Sequence, residues 1–153
     1  MTANPEDTMS HWFHILTGSG REARLLHAAR LAEKAWQDGD RVALYCDDPE
    51  TAAALDEMLW SFRPEAFLPH DHLRRNDQRP GAPVAVMECE PAVDDWDTLI
   101  IAAAGLPATA DGFKRLALIA SNDDDSLERA RAQYRQLREL GITPQVHDFR
   151  KPG

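Results

Sequence analysis

The chain has 153 residues, 43% apolar or aromatic and 28% charged, the balance of one folded domain rather than a fibre, a disordered chain or a disulfide-stapled miniature. Seventeen Lys and Arg stand against 26 Asp and Glu, a formal charge of -9, so the molecule repels nucleic-acid backbones and must meet any anion with a local group of arginines. No apolar run approaches the roughly 20 residues of a membrane span, and residues 1–13 lack the basic start and apolar centre of a secretory signal, which predicts a cytoplasmic protein with no membrane contact.

Residues 11–16 (HWFHIL) read as a first strand. The turn TGSG follows, then an amphipathic helix over 21–37 that presents Leu25, Leu26, Ala29, Ala32, Ala35 and Trp36 and ends before Gly39. Ser19 three residues ahead of Glu22 predicts a capping box at its start. RVALYC at 41–46, bounded by Asp47, Asp48 and Pro49, predicts a second strand entering a helix over 49–60. Residues 61–83 are rich in Pro, Arg, Asp and His without a sustained period, and predict a long irregular connection with room for one short helical turn. Strands are expected at 83–89, 98–103 and 115–120, the last two being continuous apolar runs of the kind buried in parallel sheets. A helix over 126–140, stopped by Gly141 and Pro144, leads to a last strand at 145–149. Alternation of this kind predicts an α/β fold, a three-layer Rossmann-like sandwich with a mostly parallel central sheet. It is read as a single domain over 1–153, with 1–10 a disordered tail. Cys46 and Cys89 form no CxxC pair and read as buried thiols.

Gly18-Ser19-Gly20-Arg21-Glu22-Ala23 satisfies G-x-G-x-x-G/A between a strand and a helix, with Asp47 and Asp48 ending the second strand. That pattern opens an alternative function, a small nucleotide-binding Rossmann-like enzyme holding pyrophosphate on helix N-terminal amides. Against it, the capping box would occupy those amides and Glu22 would repel phosphate, so no cofactor is expected. His70-Asp71-His72 offers metal ligands, but no third ligand has a motif spacing, and no metal is expected. There is no G-x-S-x-G elbow, P-loop, H-E-x-x-H or catalytic Cys signature, and no catalytic residue is assigned. The acidic runs Asp94-Asp95 and Asp123-Asp124-Asp125 read as helix caps and dipole partners.

Two stretches are more informative. Projected at about 100° per residue, Leu127, Ala130, Tyr134 and Leu137 fall in one sector of the last helix, with Arg131, Arg135 and Arg138 in the adjoining one. An amphipathic ring beside guanidinium groups able to grip carboxylates suits an acidic peptide with an apolar end. The competing reading is a solvated face paired through Glu128 and Glu139. The second stretch carries Trp60, Phe62 and Phe67 among Pro64 and Pro69, more aromatic surface than one irregular loop buries easily, and exposed aromatics mark protein interfaces.

RVALYCDD, LDEMLW, FRPEAFLPH, GAPV, DSLERARAQYR and the closing LGITPQVHDF, in this order, resemble the chi subunit of bacterial DNA polymerase III over roughly residues 12–149. The resemblance implies a non-enzymatic adaptor of the clamp-loader assembly with no bound cofactor. One surface of such a protein takes the acidic, Phe-terminated tail of single-stranded DNA-binding protein, and its Tyr and basic residue correspond to Tyr134 and Arg135, with Arg131 one turn earlier. The family commonly has Lys where this chain has Arg135, which keeps the charge. A second surface, here Trp60 and Phe67, takes the psi subunit, and an accessory helicase can compete for that surface in relatives. The helix between Asp125 and Tyr134 is one residue shorter than the family pattern, so Glu128 and Arg129 receive no family role.

Overall fold

The computed structural model describes residues 10–63, 65, 68–75 and 81–150. In chain order the elements are β1 (Ser10–Ile15), α1 (Gly20–Gln37), β2 (Val42–Tyr45), α2 (Pro49–Ser61), β3 (His70–Leu73), β4 (Val84–Met87), β5 (Thr98–Ile101), a 3-10 turn (Ala110–Gly112), β6 (Arg115–Ala120), α3 (Asp124–Glu139) and β7 (Gln145–Asp148). The strands form one sheet in the order β3-β4-β2-β5-β6-β1-β7, and every ladder is parallel. The runs VAVM and TLII are buried at every position, because central parallel strands are covered on both faces.

Right-handed crossovers decide which face each helix takes. The connections through α1 and α2 run toward the β3 edge, and both helices lie on one face. Leu25, Ala28, Ala29 and Ala32 of α1 and Ala52, Leu55 and Leu59 of α2 pack there on Val42, Leu44, Val84, Val86 and Ile100. The connection through α3 runs the other way, and its Leu127, Ala130 and Leu137 pack on the opposite face against Phe13, Leu116 and Leu118. Trp96, from the segment ahead of β5, and Phe113, just after the 3-10 turn, complete that layer. The architecture is a three-layer Rossmann-like sandwich, all-parallel rather than mostly parallel.

Four local expectations are corrected. Ser10 belongs to β1 rather than to a tail, of which residues 1–9 lie outside the described residues. The stretch expected to be irregular contains β3, whose HDHL sequence carries no apolar alternation because it is an edge strand with β4 as its one ladder partner. Cys46 is fully buried, and desolvation, with Asp48 and Asp47 nearby, pushes its thiol up to about 12, whereas Cys89 is only half-buried. Most informative is the start of α1. Ser19 is the N-cap residue, but its side chain makes no capping hydrogen bond. The Gly20 N–H instead donates to Asp123 Oδ2 at 2.9 Å, across the sheet end from α3. Asp123 also accepts from the Ser121 hydroxyl at 2.6 Å and caps its own helix through the Ser126 N–H at 3.1 Å, so α3 starts at Asp124 rather than 126. An ionised carboxylate is the stronger acceptor. The Ser121 and Gly20 hydrogen bonds, foremost among its contacts, hold its carboxyl below the ordinary carboxylate range.

A second contact fixes α3 along its length. Gln133 is 4% exposed, and its side-chain amide donates toward the carbonyls of Ala103, Ala104 and Gly105 at 2.9, 3.2 and 3.2 Å. Gln133→Ala removes the buried donor from these partly covered carbonyls, which water can then reach, and urea unfolding should show a loss of about 1 kcal/mol. An unchanged midpoint would mean that water replaces the amide without cost.

On the α1 face of β1, His14 Nδ1 lies 2.8 Å from His27 Nε2. Desolvation first, then His27 and His147, push the His14 pKa from 6.5 down to about 4. The folded chain therefore prefers the neutral ring, and protonation favours the unfolded chain. This contribution is complete above pH 6.5 and drains away as the pH falls toward 4. Over that interval the wild type should lose about 1 to 3 kcal/mol more stability than His14→Phe. Parallel pH profiles for the two proteins would remove His14 from this account.

Candidate functional site

α3 carries the candidate peptide-binding residues. Its buried side holds Ser126, Leu127, Ala130, Gln133 and Leu137, so the apolar sector read from the sequence is the packed one, widened by two polar residues that the periodicity missed. Tyr134 is half-buried at the margin, its ring centroid 5.8 Å from that of Phe13 on β1. Gln133 points to the end of β5, and Arg131, Arg135 and Arg138 lie about 140 to 160° around the helix from it. The arginine flank therefore faces the β1–β7 edge of the sheet.

All three arginines are exposed. Among the described residues, no carboxylate pairs with them, Glu128 and Glu139 included. That leaves three guanidinium groups on one flank of a protein of net charge -9. The strand register supplies the apolar half of the site. Val146 of β7 is the partner of Phe13, and residues paired across a ladder project to the same face, so Val146 stands on the α3 side about 5 Å from the Phe13 position. Val146 is 52% exposed. Tyr134 and Val146 thus border an open apolar edge, and the arginines border Tyr134. Val146 was read from the sequence only as part of a strand, because its face depends on register.

The second candidate surface lies at the other end. Trp60, in the last turn of α2, is 58% exposed, and its ring centroid is 4.6 Å from that of His70 on β3. His70 is held in turn, with Nδ1 2.8 Å from the Leu68 carbonyl and Nε2 3.2 Å from Asp56 Oδ1. Phe62 is half-buried against the α1–α2 core, so it anchors the helix end more than it displays surface. Phe67 lies outside the described residues. His70 and His72 are strand residues rather than loop residues, and His72 Nε2 is engaged by Glu88, so the two rings serve separate contacts. With α2 at the β3 edge and α3 toward the β7 edge on the opposite face, the two surfaces are separated by about 29 Å of sheet, six strand spacings.

The glycine turn is absorbed by packing. A Cβ at Gly18 would come 3.2 Å from that of Ala23, and the Gly20 N–H is taken by Asp123. Asp47 Oδ2 accepts the N–H groups of Ala104 and Gly105 at 3.1 and 3.3 Å, and Asp48 caps α2 through the Thr51 N–H at 2.7 Å. The Gly20 N–H and one oxygen each of Asp47 and Asp48, groups a dinucleotide would use in the alternative enzyme reading, are thus engaged within the chain. Among the described residues, no helix is long and apolar enough to cross a membrane.

Comparison with known proteins adds the family. The family profile described as "DNA polymerase III chi subunit, HolC" matches residues 9–145. The DNA polymerase III subunit chi of Pseudomonas aeruginosa is 38% identical over 135 residues, 88% of this chain and 93% of that protein. The subunit chi of Escherichia coli is 30% identical over 113 residues, 73% of this chain and 76% of its own length. That of Haemophilus influenzae is 28% identical over 130 residues, 84% and 90% of the two chains. A profile match over nearly the whole sheet, with a relative this similar across the chain, places the protein in the DNA polymerase III chi subunit family.

Proposed function

We propose that this protein is a non-catalytic adaptor of the clamp loader that binds the acidic C-terminal tail of single-stranded DNA-binding protein. The observation that carries the reading is the exposed, carboxylate-free row of Arg131, Arg135 and Arg138 alongside Tyr134 and Val146. Arg131 and Arg135 grip the tail's carboxylates, with Arg138 extending the field by one turn, and the terminal Phe of the tail lies against Tyr134 and Val146. A protein of charge -9 attracts an acidic peptide only through such a local row. Trp60, exposed beside His70, is the centre of the surface for the second partner, the psi subunit or an accessory helicase, and Phe62 secures the helix end that carries it. The separation of the two surfaces supports simultaneous occupancy, which is what a tether requires. The reading includes no catalytic residue, no cofactor, no strong direct nucleic-acid binding and a cytoplasmic location.

Fluorescence anisotropy of a labelled peptide copying the host's acidic tail tests the first surface. Arg135→Ala should weaken binding by roughly tenfold or more, about 1.4 kcal/mol or above, and rising salt should weaken the wild type. A wild type that ignores the peptide at low salt would end the tether reading. For the second surface, Trp60→Ala should remove the psi subunit or helicase from a pull-down while leaving peptide affinity intact. Retention of the same partner by the variant would release Trp60 from that role.

A further inference from the structure

At the carboxyl ends of β5 and β6, on the flank of α3 opposite the proposed peptide row, a cleft of about 100 Å3 opens between the helix starts. Arg21 and Arg24 of α1 and Arg129 of α3 line it, with Asp47, Asp48, Thr51, the residues 101–104 and Gln133. The crevice beyond the carboxyl ends of the strands is where open α/β sheets place ligands. Here Asp123 and Asp48 already take one N–H at each of the three helix starts. The arginines remain.

Arg24 is held in place. Its Nη1 donates to the Ser121 Oγ at 2.6 Å, and Ser121 donates in turn to Asp123. Burial first, then Arg129 and Arg21, lowers its pKa against the opposing pull of Asp123, as expected of three guanidinium groups brought into one partly desolvated space. Arg129 makes one long contact, Nε to the Asp125 carbonyl at 3.5 Å. Among the described residues, none of the three lies within ion-pair distance of a carboxylate. Of the acidic groups nearby, Asp47 Oδ2, Asp48 Oδ1 and both oxygens of Asp123 accept backbone N–H groups or the Ser121 hydroxyl, so these carboxylates offset the arginines through space without a direct ion pair. Like charges brought together without a direct counterion invite one from outside. The volume holds several water-sized groups, hence one tetrahedral oxyanion, and falls short of the roughly 300 Å3 at which organic-ligand pockets begin.

We propose that this cleft binds a single phosphate group through Arg21, Arg24 and Arg129. Both inorganic phosphate and the phosphate of a mononucleotide present that chemistry, and the nucleoside portion of the latter would project into solvent. The site is separate from the peptide row, so each stands or falls without the other.

Calorimetric titration of the whole protein with inorganic phosphate and with AMP, at constant ionic strength set by chloride, provides the test. Saturable binding of either ligand is expected, weakened about tenfold in Arg21→Gln and in Arg129→Gln. Both residues are exposed, so the variants should keep the wild-type unfolding midpoint in chloride alone. Arg30→Gln, which removes the same charge from further along α1, should bind as the wild type does. Equal affinity for the two ligands assigns the site to the phosphate group alone, and tighter AMP binding assigns it to the nucleotide. No saturation by either ligand, or equal weakening in Arg30→Gln, would overturn the proposal and leave the arginines as a solvated patch.

Discussion

The Asp123 carboxylate ties together the parts of this molecule that matter for function. It receives the first N–H of α1 from one face of the sheet, caps α3 on the other, and takes the Ser121 hydroxyl between them. One ionised side chain thus pins two helix starts across the ends of β1 and β6. The consequence is chemical as well as mechanical. In nucleotide-binding α/β proteins the corresponding amides meet a phosphate, and here a side chain of the same charge already stands there. The amide that the glycine turn would offer first to a pyrophosphate is thereby already taken, while three arginines line the crevice beside it.

With α3 fixed at its start by Asp123 and along its length by Gln133, its arginine flank has one direction to face. The sheet edge at β7 lies on that side, and Val146 completes the apolar border. Three helices for seven strands leave edges to be used. At one end α3 and β7 present cations around an aromatic ring, and at the other α2 and β3 present Trp60 over His70. A parallel sheet between them holds the two proposed binding surfaces at a set distance, a geometry suited to the proposed linker role in a polymerase subunit family.

Where the sequence reading went astray, the physical reason is traceable. HDHL was read as irregular because an edge strand owes its existence to backbone pairing with β4, and pairing leaves no mark on side-chain periodicity. The capping box did not form, and the start of α1 is held instead at the Gly20 N–H by a carboxylate more than a hundred residues away, which no local motif announces. Gln133 went unnoticed because a polar residue near an apolar stripe looks solvated until the carbonyls it reaches are in place.

The sequence by itself determined the strands with continuous apolar runs, the three long helices, the three-layer class, and the arginine row beside Tyr134, since each of these follows from the spacing of residues within one element. Its motifs also carried the family resemblance. Only the tertiary structure decided that Phe13 and Val146 share the face of Tyr134, that the glycine turn is capped from α3, and that Arg21, Arg24 and Arg129 converge on one cleft. Those facts depend on register and crossover direction, which bring together residues far apart in the chain, and no local period encodes which distant partner will arrive.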